Sequence, residues 1–121
     1  PRTTAPGEIV VGGDHEFYDF EAKYTDTSST SLQVPADLPP DLAAAARELA
    51  ADAFDALGCE GLARVDLFLS GTEFFVNEVN TMPGFTQFSM FPMLWQNEGM
   101  AYGELIDELI RLALARPVGL R

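Results

Sequence analysis

The sequence has 121 residues, 47% of them apolar, which suffices for one modest hydrophobic core and is typical of a globular domain. Its net charge of −12 argues against a bare polyanion such as nucleic acid as a partner, because such a surface requires clustered Lys and Arg. No apolar run is long enough to cross a bilayer, no basic-then-apolar leader opens the chain, and the single cysteine is ordinary for a reducing cytosol, so we expect a cytoplasmic protein without a membrane partner.

The first third of the chain predicts short extended segments around a polar loop. Residues 8–12 predict a strand, and residues 16–24 predict a second, aromatic-rich extended stretch. Residues 25–31 are small and polar, so we expect a mobile surface loop there, and residues 32–35 predict a brief strand. The sequence begins at Pro1 without a methionine and opens without a periodic pattern, which suggests a fragment of a longer chain.

The rest of the chain alternates helices with a strand pair. Apolar residues at three- and four-residue steps predict a helix that begins near Pro40 and stops at Gly58. Residues 62–69 and 73–80 predict two antiparallel strands joined by a three-residue turn of Ser70, Gly71 and Thr72. Two more helices are expected, one from Ser89 to about Glu98 and an amphipathic one from Gly103 to Arg116. The apolar stripe of the last helix is expected to contain Ile106, Leu109, Ile110 and Ala113. This order of elements favours an α+β domain.

The strand pair carries an unusual polar face. With a three-residue turn, Arg64 lies opposite Glu78, Asp66 lies diagonally from it, and Asn80 continues the same face by period two. Two carboxylates and an amide oxygen are hard ligands that suit Mg²⁺, which would also supply the positive charge that a phosphate-bearing ligand needs. The alternative is a solvent-facing surface with a cross-strand ion pair between Arg64 and Glu78. Spacing alone leaves both interpretations open.

The opposite face of the strand pair is apolar enough to be buried, and Asn77 interrupts it without explanation. We expect that buried face to contain Val65, Leu67, Leu69, Phe75 and Val79.

Pro83 and Gly84 follow the strand pair. Their turn could bring the Gly84 amide close to a ligand, where it would stabilise an oxyanion, although a simple Pro-Gly loop is the alternative. Lys23, the only lysine, suits a phosphate contact, although a lone lysine is usually just solvated. The apolar cluster around Met90 is more typical of a core than of a ligand pocket.

Three segments together carry a family resemblance. FYDFEAKY at 17–24, LGCEGLARVDLFL at 57–69 and VNEVNTMPGFTQFSMFP at 76–92 resemble the D-alanine:D-alanine ligase family of the ATP-grasp superfamily. The resemblance runs from about Gly7 to Arg116. It implies an α+β carboxy-terminal ATP-grasp lobe, mainly antiparallel sheet packed with helices, with residues 1–121 as a single catalytic domain of a longer ligase.

The resemblance also implies an activity. ATP would activate the carboxylate of one D-alanine as an acyl phosphate, and the amine of a second D-alanine would attack it, giving the dipeptide used for peptidoglycan. The implied cofactors are ATP and two Mg²⁺ ions, with Mn²⁺ as a substitute. The nucleotide-binding lobe would lie upstream of Pro1, so the isolated chain is expected to be inactive, and the full-length enzyme is expected to be a homodimer.

Site roles follow from the same resemblance. Asp66, Glu78 and Asn80 match the metal ligands, with Glu78 bridging two ions and both Glu78 and Asn80 contributing to the nucleotide site. Arg64 matches the group that stabilises the tetrahedral intermediate, assisted by the backbone amide of Gly84.

The remaining matched positions concern the phosphates, the closing loop and the second substrate. Lys23 matches a phosphate contact, Tyr24 matches the closing-loop residue, and Ser89 and Met90, with Gly84, match the positions that receive the second substrate. Tyr24 favours an amine acceptor over D-lactate. The alternatives are a related ATP-grasp ligase with another acceptor and an acidic, non-catalytic metal-binding module.

Overall fold

The computed structural model describes residues 1–11 and 30–117. Its strands form two antiparallel pairs, β1 with β2 and β3 with β4, and three helices pack with them, so the predicted α+β class is confirmed. In chain order the elements are β1 (Glu8–Val11), β2 (Thr30–Gln33), α1 (Pro40–Ala56), β3 (Arg64–Ser70), β4 (Glu73–Asn80), α2 (Met90–Asn97) and α3 (Tyr102–Ala115).

The strand predicted at residues 32–35 was displaced by two residues, because β2 spans Thr30–Gln33 and leaves Val34 and Pro35 outside it. Thr30 and Ser31, expected in the polar loop, belong to β2, where they pair with Val11 and Val10. Their backbone N–H and C=O groups can bond to the antiparallel partner strand, whereas in a loop they would bond to water. The predicted extended stretch at 16–24 and the loop at 25–29 lie outside the described residues.

Helix α1 begins and ends where the prolines and Gly58 predict. Pro39 is the capping residue and Pro40 occupies the first helical position, where a missing N–H costs nothing. At the other end Gly58 has φ 65°, its N–H donates to the Asp55 carbonyl, and the Cys59 N–H donates to the Phe54 carbonyl at 3.0 Å. These two hydrogen bonds form a Schellman motif, which ends the helix cleanly.

The three helices contribute buried apolar residues to the core, among them Pro92 of α2, which is less than 2% exposed. Ala46 of α1, Phe91 of α2 and Leu105 of α3 are 2%, 7% and 3% exposed. Helix α1 packs on β3 and β4, while α2 packs on α3. The apolar stripe expected on α3 was partly misplaced, because Ile106 and Ile110 are 37% and 54% exposed and Leu105 is the buried residue.

Glu98 ties the amino-terminal segment to the helices. Its carboxylate accepts a hydrogen bond from the Arg47 guanidinium at 2.6 Å and from the Ala5 amide at 3.3 Å. Gly7 completes this junction, since a Cβ there would lie only 2.9 Å from the Met90 sulfur. The junction holds the start of β1 against α2.

Among residues 1–11 and 30–117, no helix combines the length and the apolar character needed to cross a membrane.

Candidate active site

The turn between β3 and β4 is shorter than predicted. Ser70 pairs with Glu73, which leaves Gly71 and Thr72 as a two-residue turn. Gly71 has φ 64°, and no described non-glycine residue has a positive φ, so the turn has the pattern of type II′, with glycine first. The predicted pairing was therefore wrong: Arg64 lies opposite Asn80, and Asp66 lies opposite Glu78.

A β-bulge at Asn77 makes this pairing compatible with the short turn. Asp66 pairs with Glu78 but Leu67 pairs with Val76, so Asn77 has no opposite residue. In an unbroken ladder from the same turn, Asn77 would face Asp66, and Glu78 would be displaced toward the apolar side. The bulge thus brings both carboxylates to one face and explains the Asn77 that the alternation left unexplained.

The bulge also corrects the predicted apolar face. Phe75 pairs with Phe68 and lies on the side of Asp66, where the two rings are 50% and 62% exposed. Phe74 and Val76 take its place on the other side, opposite Leu69 and Leu67. The prediction misplaced Phe75 because it assumed strict alternation along β4, whereas the extra residue of a bulge shifts the alternation by one position.

Arg64 and Asp66 form a bidentate ion pair on the polar face. The guanidinium Nε and one Nη donate to the two Asp66 oxygens at 2.8 and 2.9 Å, and both side chains are about a quarter exposed. A planar fork of this kind fixes the orientation of both groups. Glu78, across the ladder from Asp66, is exposed on the same face.

Asn80 ends β4 and starts the loop that follows it. Its Oδ1 accepts a hydrogen bond from the Met82 N–H at 2.9 Å, which closes an Asx turn. An amide oxygen has two lone pairs, so one remains for a ligand. The turn sends the chain from the polar face toward the buried Pro83 and the exposed Gly84.

The loop after β4 is fixed to both following helices by Phe85. Its ring centroid lies 5.9 Å from that of Phe91 and 5.5 Å from that of Tyr102, and the Tyr102 hydroxyl donates to the Phe85 carbonyl. Sequence reasoning singled out neither Phe85 nor Tyr102, because nothing in the local pattern links residues so far apart.

Gly84 lies in contact with Ser89. A Cβ at Gly84 would come within 3.2 Å of the Ser89 Oγ, which is tighter than most real Cβ contacts, so a larger residue would require the serine or the loop to shift. Ser89 occupies the capping position of α2 and Met90 is its first residue. Because the Met90 side chain packs toward Gly7, the backbone amide is the group that Met90 can offer to a ligand.

One open cleft collects the described site residues. Its lining includes the polar face, the Gly84 backbone and the start of α2. Its volume of about 1720 Å³ exceeds the roughly 300–1,000 Å³ of a closed ligand pocket, and its lining includes residues from both faces of the strand pair, so it is an open surface rather than a sealed cavity. The described site residues that line it are Arg64, Asp66, Glu78, Asn80, Gly84, Ser89 and Met90. The remaining predicted ones, Lys23 and Tyr24, lie outside the described residues.

The donor set fits magnesium with help from a ligand. Within the described part of the chain, no three carboxylates, imidazoles or thiols are placed to hold a metal by themselves. Asp66, Glu78 and Asn80 offer two carboxylates and one amide oxygen on paired positions. Mg²⁺ commonly takes only one or two carboxylates and completes its shell with water and substrate phosphates.

Comparison with known proteins identifies a family that this chain matches. A family described as D-ala D-ala ligase C-terminus matches residues 1–111. The D-alanine--D-alanine ligase of Paenarthrobacter aurescens is 58% identical over 123 residues, covering 100% of this chain and 32% of that protein. The corresponding ligase of Streptomyces avermitilis is 52% identical over 122 residues, with coverage of 100% and 31%. The chain thus spans about a third of the length of these relatives.

Solved structures give the same result. D-alanine--D-alanine ligase from Bacillus anthracis superimposes with a TM-score of 0.76 at 33% identity, covering 92% of this chain and 35% of that one. The VanG D-Ala:D-Ser ligase from Enterococcus faecalis gives a TM-score of 0.70 at 33% identity, with coverage of 88% and 35%. These likenesses support the ATP-grasp lobe that the resemblance implies. Since the family match spans residues 1–111 of 121, the chain belongs to the D-alanine–D-alanine ligase family and corresponds to its carboxy-terminal part.

Proposed function

We propose that residues 1–121 are the single carboxy-terminal catalytic domain of a longer enzyme, called the parent enzyme below, which joins two D-alanines at the expense of ATP. The reaction would pass through an acyl phosphate and supply the dipeptide for peptidoglycan synthesis in the cytoplasm. The observation that carries the proposal is the single cleft that brings the polar face of β3 and β4 together with Gly84 and the start of α2.

The polar face suits the phosphate side of the reaction. Asp66, Glu78 and Asn80 would hold two Mg²⁺ ions, or Mn²⁺ in their place, with Glu78 shared between the ions and ATP phosphates completing the shells. These ions supply charge neutralisation and alignment for phosphoryl transfer, which needs little covalent help from the protein. Lys23, and Tyr24 in the closing loop, keep the phosphate and closure roles that the resemblance implies.

Arg64 and Gly84 suit the acyl side. The bidentate bond to Asp66 holds the guanidinium plane in one orientation, so its charge is placed before reaction rather than during it. The Gly84 backbone, free of a Cβ, allows its N–H to approach a developing oxyanion. Both groups line the same cleft and would stabilise the tetrahedral intermediate formed when the second amine attacks.

Ser89 and Met90 suit the second D-alanine. The Ser89 hydroxyl and the Met90 backbone amide stand at the amino-terminal end of α2, where the helix dipole favours a carboxylate. The bound acceptor would thus be held by its carboxylate, leaving its amine free to attack.

The parent enzyme would bind D-alanine and ATP with the help of the upstream lobe and would act as a homodimer, without nucleic acid or membrane partners.

A second acceptor is worth a direct test because the VanG D-Ala:D-Ser ligase superimposes nearly as well as the D-alanine--D-alanine ligase from Bacillus anthracis. The parent enzyme is incubated with ATP, Mg²⁺ and D-alanine, alone or with D-serine or D-lactate, and the products are separated. We expect D-alanyl-D-alanine to dominate. A dominant mixed product would show that D-serine or D-lactate, rather than D-alanine, is the acceptor. The absence of any ATP-dependent product would favour the non-catalytic metal-binding module.

A further inference from the structure

Ser89 stands in a capping position but does not cap its helix. A serine there usually accepts a hydrogen bond from the N–H of the second or third helical residue. Ser89 makes no such side-chain bond, and the third residue of α2 is Pro92, which has no N–H to give. The hydroxyl is therefore held by something other than its own helix.

Thr86 holds that hydroxyl from two sides. The Thr86 N–H donates to the Ser89 Oγ at 3.0 Å, and the two hydroxyl oxygens lie 2.9 Å apart. The Ser89 N–H donates back to the Thr86 carbonyl at 3.0 Å. Behind Thr86, the Phe88 N–H donates to the Thr86 Oγ1 at 3.3 Å. Thr86 thus links the backbone of the loop to one hydroxyl at the cleft.

The direction of the hydrogen between the two hydroxyls decides what Ser89 can do. A hydroxyl has one donor and two acceptor lone pairs. If Thr86 donates, the Ser89 oxygen accepts from both the Thr86 amide and the Thr86 hydroxyl, and its own hydrogen is left for a ligand. If Ser89 donates, its only hydroxyl hydrogen is bonded to the Thr86 oxygen and is not available to a ligand.

A carboxylate in the cleft selects the first arrangement. It accepts a hydrogen bond and cannot give one, and a charge-assisted bond is stronger than the neutral one between the two hydroxyls. The resulting chain runs from the Phe88 N–H through Thr86 and Ser89 to the anion, and each bond polarises the next. Gly84 lies beside this hydroxyl, since a Cβ there would come within 3.2 Å of the Ser89 Oγ.

We propose that Thr86 is a positioning residue for the acceptor carboxylate, acting through Ser89 by fixing both its rotamer and the direction of its hydrogen. The inference rests on the proposed function, since it assumes that Ser89 receives the second D-alanine. Thr86 itself does not touch the substrate. Its removal should therefore weaken acceptor binding and leave the nucleotide side unchanged.

The test uses the full-length parent enzyme and three substitutions at one position. Thr86→Val keeps the shape and removes the hydroxyl, Thr86→Ala removes it with less bulk, and Thr86→Ser retains it. Thr72→Val, in the exposed turn at the other end of β4 from Asn80, is the matched control. D-alanine saturation is fitted to a two-substrate rate law that gives separate KM values for the first and second D-alanine, and the KM for ATP is measured in parallel.

We expect Thr86→Val and Thr86→Ala to raise the second-substrate KM about three- to tenfold, the size of one lost hydrogen bond. The kcat and the KM for ATP should stay within about twofold, because no group on the phosphate side has changed. Thr86→Ser should restore the second-substrate KM, and Thr72→Val should match the unmodified enzyme.

Three results would overturn the role of Thr86. They are an unchanged second-substrate KM in both hydroxyl-free variants, no rescue by Thr86→Ser, and a parallel change of every KM with the melting temperature, which would indicate a structural role. Failure of the unmodified parent enzyme to make the dipeptide is a separate outcome, which refutes the proposed function and this inference with it.

Discussion

Asp66 has two tasks in the proposed site. Both of its oxygens already accept from Arg64, and each keeps a lone pair that a metal could use. The arrangement couples the phosphate side of the cleft to the acyl side through one carboxylate. A substitution that changes the shape of the cationic side chain at position 64 should therefore lower the activity of the parent enzyme even when the positive charge is kept.

Arg64→Lys tests that coupling. Lysine presents a point charge instead of a fork, so it cannot hold Asp66 with two parallel bonds or keep a fixed plane. We expect kcat for dipeptide formation by the parent enzyme to fall about 10²-fold or more, the usual loss for one misplaced oxyanion stabiliser. Arg111→Lys, a conservative change in an exposed pair with Glu108 on α3, should stay near the original rate. Equal rates for both variants would show that Arg64 does not contribute to the reaction.

Gly84→Ala tests the contact with Ser89. The added methyl would lie 3.2 Å from the Ser89 Oγ, so either the loop or the serine must shift by a few tenths of an ångström. Such a shift moves the amide from its oxyanion position and the hydroxyl from the acceptor. We expect kcat/KM for D-alanine to drop at least about tenfold while thermal stability changes little. An alanine variant with unchanged kcat/KM would show that glycine is not required there.

At the level of elements, the helix boundaries were the most predictable features. Pro39, Pro40 and Gly58 each restrict the backbone locally, so the ends of α1 follow from a few residues. The register of β3 and β4 was harder, because Ser70, Gly71 and Thr72 fit either a two- or a three-residue turn. The interruption at Asn77 signalled a bulge, but only pairing across the ladder locates it.

For the candidate site, the shared face of the proposed residues was predictable, whereas their pairing across the strands was not. Arg64, Asp66, Glu78 and Asn80 were placed on one face from alternation, and the structure has them there with different partners. The part played by Thr86 was not found, although a hydroxyl three residues before Ser89 at a helix start could have signalled it. Long-range contacts such as Tyr102 with Phe85 leave no local signal at all.

Gly58→Ala tests the end of α1. Gly58 has φ 65°, and no atom lies within 4 Å of an added Cβ, so the cost is backbone strain rather than a clash. We expect the melting temperature of the parent enzyme to fall, with a loss of about 1 kcal/mol. Gly103→Ala is the matched control, since this glycine is inside α3 with equal space, and alanine there should stabilise by up to about 1 kcal/mol. The same sign of change for both would contradict the assigned role of Gly58.

At the level of the whole molecule, the cleft is open and the proposed metal site is incomplete by itself. Two carboxylates and an amide oxygen hold Mg²⁺ weakly unless phosphates complete its shell. Under the proposed function, the upstream lobe of the parent enzyme would fix the phosphates of ATP. We therefore expect the parts of the site on this chain to require the rest of the parent enzyme to act.

The isolated 121-residue chain should accordingly have no ligase activity. With excess ATP, Mg²⁺ and D-alanine we expect neither phosphate release nor dipeptide, and titration with Mg²⁺ should show only weak binding. The full-length parent enzyme, assayed alongside, is the positive control. Turnover by the isolated chain at the rate of the parent enzyme would show that the upstream lobe is dispensable.

The central claim, that the polar face of β3 and β4 holds the metal ions for catalysis, is tested most directly at Glu78. Glu78→Gln removes one negative charge and keeps the shape, and Glu73→Gln does the same at the turn end of β4. Dipeptide formation by each full-length variant is measured across a Mg²⁺ titration, with circular dichroism to compare folding. We predict that Glu78→Gln abolishes turnover at every Mg²⁺ concentration without loss of structure, while Glu73→Gln retains it. Normal turnover of Glu78→Gln at saturating Mg²⁺ would contradict the account.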